Sequence, residues 1–76
     1  MIGKILKTMR RKRNLKQTDL SKITNIPQNT LSQYETGHVQ PTFETIEKIA
    51  NACGFNINFT DGKTKLTTKN INREEI

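Results

Sequence analysis

From Ile2 to Cys53 the apolar residues of this chain recur every three or four positions, and from Phe55 to Phe59 every second position. The first spacing is that of a helix packed on one side, the second that of a half-buried strand, so the chain is confined to short helices followed by a strand. Ile2, Ile5, Leu6 and Met9 predict a first helix over residues 2–13 with its basic residues outward, stopped at Asn14. A second helix over 17–24 is expected to bury Leu20 and Ile23 and to end at Asn25, a residue that tolerates the left-handed backbone. Pro27 suits the start of a third helix over 27–36, because its missing N–H would be unpaired there anyway. Gly37 closes that helix. Thr42 can cap a fourth over 43–53, with Phe43, Ile46, Ile49, Ala50 and Cys53 inward.

After Gly54, "FNINFT" reads as a strand, and Asp61-Gly62 is a favoured two-residue hairpin turn. This turn predicts a hairpin over 55–68 that pairs Thr60 with Lys63 and Ile57 with Leu66, placing Phe55, Ile57, Phe59 and Leu66 on one face. Residues 69–76 form a polar tail with no assignable structure.

With 76 residues the chain is one domain near the lower limit for folding without a disulfide, a metal or a partner. The net charge of +6 favours a polyanionic partner, nucleic acid before membrane surface. Residues 1–18 hold seven basic residues (Lys4, Lys7, Arg10, Arg11, Lys12, Arg13 and Lys16) and no acid, whereas an ordinary solvated helix face mixes the two signs. Cys53 is alone, at helical spacing from Ile46, Ile49 and Ala50, and reads as a small buried hydrophobe. The start lacks the continuous apolar core of a signal peptide, and no apolar run is long enough to cross a bilayer. The expectation is a cytoplasmic, reduced protein without membrane contact.

The third helix is unusual in its outer face. In "IPQNTLSQYETG", residues 26–37, Ile26, Leu31 and Tyr34 are spaced to face a core, while Gln28, Asn29, Thr30, Ser32 and Gln33 offer an unbroken row of amides and hydroxyls. Two short helices joined at Asn25, the second polar on its outer face, form a helix-turn-helix. Residues 6–54 resemble the helix-turn-helix domain of the phage repressor and Cro type, the Xre family. The residues that carry the likeness are Arg10, Gln17 with Leu20, Leu31-Ser32, Glu35 with Gly37, and Pro41, all without a gap. The implied fold class is mainly α: a four- to five-helix repressor-like helix-turn-helix domain, residues 1–54, with the C-terminal β-hairpin at 55–68 as dimerisation element. The chain departs from the family at Lys16, which replaces a capping Ser or Thr and predicts a frayed start to the second helix. It departs also at Ser21, Thr24, Asn25 and Pro27. Thr24 and Asn25 are expected to weaken the inner packing by about 1 kcal/mol each.

The polar face gains a role from this likeness. In the major groove each base pair presents a distinct set of donors and acceptors, which an amide can match with two hydrogen bonds. Gln28, Asn29, Ser32 and Gln33 are the expected base contacts. The resemblance places Gln17 at a backbone phosphate, and Arg13, Thr36, His38 and Gln40 join it as candidates from the helix ends and the loop. It also implies that Arg10 and Glu35 pair across the first and third helices as a structural ion pair. His38 has no companion ligands for a metal, no nucleophile setting or Gly-rich phosphate loop is present, and neither enzyme nor cofactor is expected.

The leading expectation is a sequence-specific transcriptional regulator, a dimeric repressor on a palindromic operator of double-stranded DNA. An antitoxin that neutralises a toxin protein and represses its own operon is the alternative, since a strand directly after the fourth helix resembles such proteins. A basic surface-binding protein is disfavoured by the polar third helix, because membrane helices need an apolar outer face. The homodimer follows from two needs met by one two-fold axis: cover for Phe55, Ile57, Phe59 and Leu66, and two recognition helices roughly 34 Å apart.

Overall fold

Each helix of the computed structural model is followed by a residue in the left-handed backbone region: Asn14 (φ 57°), Asn25 (φ 62°), Gly37 (φ 84°) and Gly54 (φ 76°). These breaks divide the first 54 residues into α1 (Ile2–Lys12), α2 (Gln17–Thr24), α3 (Gln28–Thr36) and α4 (Phe43–Ala52). A two-stranded antiparallel sheet follows, made of β1 (Asn58–Thr60) and β2 (Lys65–Thr67). The structure describes residues 1–60 and 62–67; Asp61 of the expected turn, Thr68 and the tail at 69–76 lie outside the described residues.

Leu6 and Met9 of α1, Leu20 of α2, Leu31 of α3, Ile49 and Ala50 of α4, and Cys53 form the buried core. Every helix contributes, and each fully buried aliphatic side chain stabilises the fold by about 1.5 to 3 kcal/mol. The helix starts are held by side chains near the expected places. Thr42 Oγ1 accepts from Thr45 N at 3.2 Å. Lys16 supplies no side-chain cap, but Asp19 Oδ2 accepts from Lys16 N at 2.9 Å and fixes the entry to α2.

Three apolar residues expected in the core stand outside it: Ile23 is 57% exposed, Ile5 47% and Phe43 48%. For Ile23 the cause is a choice between i+3 and i+4, both compatible with a helical stripe that starts at Leu20. The structure uses i+4. Thr24, 1% exposed, takes the inward place, and its hydroxyl donates to Leu20 O at 2.7 Å while accepting from Ile26 N at 3.3 Å. Burial of that hydroxyl therefore leaves no unpaired polar atom. Ile5 and Phe43 sit on the walls of an open apolar groove of about 360 Å³, lined also by Ile2, Met9, Ile46, Ala50, Asn56 and Ile57.

The hairpin register also differs from expectation. Thr60 pairs with Lys65, Phe59 with Leu66 and Asn58 with Thr67, so the pairs of Thr60 with Lys63 and Ile57 with Leu66 are absent. Thr60 Oγ1 accepts from Gly62 N at 3.1 Å, a side-chain turn that takes the place of the tighter backbone turn. The slip is two residues, an even number, which preserves the alternation of the strands. Phe55 and Ile57 lie before β1 and pack, half-buried, against the helical core.

Candidate nucleic-acid interface

Asn25 and Ile26 set the angle at which α3 leaves α2. Asn25 N donates to Ser21 O at 2.8 Å, and the Ser21 hydroxyl donates to Ile26 O at 2.5 Å, so both sides of the turn are tied back to α2. At about 3.6 residues per turn, Gln28, Asn29, Ser32, Gln33 and Thr36 share one face of α3, opposite Leu31 and Tyr34. Gln28, Asn29 and Gln33 are exposed, Ser32 is half-buried, and Leu31 is 1% exposed. The three amides make no side-chain hydrogen bond to the described residues. Their donors and acceptors point at solvent.

That face is held from behind by charge. Arg10 Nε and Nη2 donate to the two carboxylate oxygens of Glu35 at 2.7 and 3.0 Å, and Gln17 Nε2 donates to Glu35 Oε1 at 3.1 Å. Arg10 Nη1 also donates to Leu15 O at 2.7 Å. One guanidinium therefore links α1, the connection to α2, and α3. Burial pushes the Glu35 carboxyl up, but the hydrogen bonds from Arg10 and Gln17 and the charges of Arg10 and Lys7 outweigh it and leave the carboxyl below its usual range. The hydrogen bond with Glu35 correspondingly raises Arg10 against the cost of burial. Gly3 permits the close approach: a Cβ there would stand 2.6 Å from the carbonyl oxygens of both Tyr34 and Glu35.

A family model described as helix-turn-helix matches residues 6–59. The chain belongs to the helix-turn-helix family of the Xre type. It is 36% identical over 61 residues to the antitoxin PezA of Streptococcus pneumoniae serotype 4, covering 80% of this chain and 37% of PezA. It is 32% identical over 69 residues to the HTH-type transcriptional regulator ImmR of Bacillus subtilis, covering 91% of this chain and 54% of ImmR. The chain thus spans between 37% and 54% of these two relatives.

In this helix-turn-helix protein the residues expected at phosphates fall into three places. Thr36 and His38 meet at the C-terminal end of α3, where Thr36 Oγ1 lies 2.7 Å from His38 Nδ1, and the backbone N–H groups of His38 and Val39 donate to Gln33 O at 3.0 and 3.3 Å. Gln40 is exposed in the same loop, and Gln17 is half-buried beside Glu35. Arg13 is engaged elsewhere, its Nε donating to Cys53 O at 2.7 Å and its guanidinium lying over the Phe55 ring. Of the expected interface side chains, Phe55 and Ile57 are half-buried against the core, whereas the side chains of Phe59 and Leu66 lie outside the described residues. Sequence reasoning missed Gly3, Ser21 and the proximity of Lys7 to Glu35. The signal for Gly3 was present, because a glycine in the first turn of a periodic helix costs stability unless a backbone approaches closely.

Proposed function

We propose that this chain is a sequence-specific DNA-binding transcriptional regulator, a dimeric repressor that reads a palindromic operator through α3. The observation that carries the reading is the outer face of α3: three exposed amides with no side-chain hydrogen bond to the described residues, on a helix braced by a part-buried ion pair. A side chain already bonded within its own fold would have to break that bond before reading a base; these do not. Gln28, Asn29, Ser32 and Gln33 read base edges in the major groove, where each good bidentate pair discriminates by roughly 1 to 3 kcal/mol. Thr36, His38 and Gln40 meet phosphates, and so does Gln17 through the second amide hydrogen that its bond to Glu35 leaves free, which fixes the register. The matched helix-turn-helix model and the likeness to the regulator ImmR support the class.

The dimer forms through the hairpin with α4 beside it. The apolar groove between α1, α4 and the approach to β1, together with the half-buried Phe55 and Ile57, supports an interface on this side of the molecule. Selection of bound duplexes from a random pool, at stated salt, tests the reading. A palindromic consensus is the expected result; absence of any enriched sequence contradicts it.

A second reading rests on the likeness to the antitoxin PezA. In it the chain also binds a toxin protein, and the DNA-binding face serves autoregulation. Stoichiometric co-purification with the product of an adjoining gene, coupled to relief of growth arrest, distinguishes this reading from the first.

A further inference from the structure

We propose that Arg13 is a positioning residue that fixes the base of the hairpin on the helical domain and thereby sets the separation of the two recognition helices. The inference rests on the dimeric DNA-binding reading above. Arg13 caps the C-terminus of α1, and its Nε donates to the carbonyl of Cys53, the residue that caps the C-terminus of α4. Carbonyls at a helix end lack intrahelical partners and carry the negative end of the helix dipole, so a guanidinium is well matched there. The same group lies 4.8 Å from the centroid of the Phe55 ring. Between the two, a Cβ on Gly54 would come within 3.5 Å of Arg13 Nη2. One side chain thus spans Cys53, Gly54 and Phe55, the three residues over which the chain leaves α4 for β1.

Gly54, with a φ of 76° and its N–H donating to Asn51 O at 3.0 Å, is the residue at which the chain turns out of α4. Besides Arg13, the exit is held by Phe55 N donating to Ala50 O at 2.8 Å and by the half-buried Phe55 and Ile57. At its other end Arg13 is three residues beyond Arg10, which is bonded to Glu35 of α3. A continuous path therefore runs from the recognition helix through Glu35, Arg10, the last turn of α1 and Arg13 to the base of the hairpin. In a dimer joined at the hairpin, a small rotation at Gly54 moves α3 along the DNA. Two half-sites can be engaged together only where that geometry is held. Only Arg can donate from Nε and stack its plane on an aromatic ring together; Lys would serve a phosphate contact but not this one.

Full-length wild type, Arg13→Lys and Arg13→Gln are compared on synthetic duplexes that carry two copies of the half-site selected by the wild type. The centre-to-centre separation is varied one base pair at a time about one helical turn, a single half-site serves as reference, and each titration is repeated over a range of salt. Thermal melting of each variant establishes that it is folded, which is expected because Arg13 is exposed. The wild type should prefer one separation. Arg13→Lys should lose on the order of tenfold in affinity there, with a flattened preference across separations, an unchanged single-half-site affinity and the wild-type salt slope. Phe55→Leu, which removes the ring and leaves the guanidinium, should flatten the preference in the same direction.

The proposal is overturned if Arg13→Lys keeps both affinity and spacing preference while Arg13→Gln weakens every duplex alike and lowers the salt slope by about one, the signature of a phosphate contact. A wild type that binds all separations no better than a single half-site overturns the dimer reading, and this proposal with it. A sharp wild-type preference that survives in Arg13→Lys overturns the role of Arg13 alone.

Discussion

Glu35 accepts from Arg10 and Gln17 while its side chain is only 5% exposed, so the fold depends on its charge. Removing one partner leaves the other charged and poorly solvated. Glu35→Gln is expected to cost about 3 kcal/mol at neutral pH in urea denaturation, more than a surface substitution could. The pH dependence has a definite sign. Because the folded-state pKa of Glu35 is lowered, its contribution is fully present above the ordinary carboxylate range, about pH 4.3, and is lost as pH falls through the depressed value. Wild type should therefore lose more stability than Glu35→Gln between about pH 6 and pH 3. Parallel stability curves would remove the ion pair from the account. Cys53 needs no such test, since burial pushes its thiol up and its place is in the core.

At the scale of elements, the arrangement depends on how closely α1 crosses α3. Gly3→Ala places a methyl group 2.6 Å from two backbone oxygens, and neither helix can yield without shifting the other. A loss of about 1 to 3 kcal/mol is expected, with weaker DNA binding because the support of α3 moves. An unchanged urea midpoint would mean that α1 adjusts freely. Much of this level was legible in the sequence. Periodicity and the residues at the breaks located four helices to within a residue or two, because Asn14, Asn25, Gly37 and Gly54 each tolerate the backbone that ends a helix. What was not legible followed from tertiary competition. Ile23 yielded its place to Thr24 because the hydroxyl could be paired internally, and the hairpin slipped two residues because Thr60 bonds Gly62. The choice of Arg10, rather than Arg11 or Arg13, as the partner of Glu35 came from family likeness.

For the whole molecule, the proposed dimer would cover the open apolar groove beside the small core. The full chain is expected to sediment as a dimer at micromolar concentration and a chain ending at Gly54 as a monomer; two monomers would leave the hairpin without this role. In the proposed function two recognition helices are needed for strong specificity, because one touches few base pairs. The polar outer face of α3 was legible in the sequence from the inward spacing of Leu31 and Tyr34, and the structure leaves Gln28, Asn29 and Gln33 exposed on it. In the proposed function this face reads bases, and that role can be measured. It is tested most directly by measuring the affinity of Gln28→Ala and Gln33→Ala for the duplex selected by the wild type and for scrambled duplexes, at several salt concentrations. A loss of about 1 to 3 kcal/mol per bidentate contact is expected on the selected duplex, with unchanged nonspecific binding and salt slope. Selected consensus and affinity that both survive the two substitutions unaltered would contradict it.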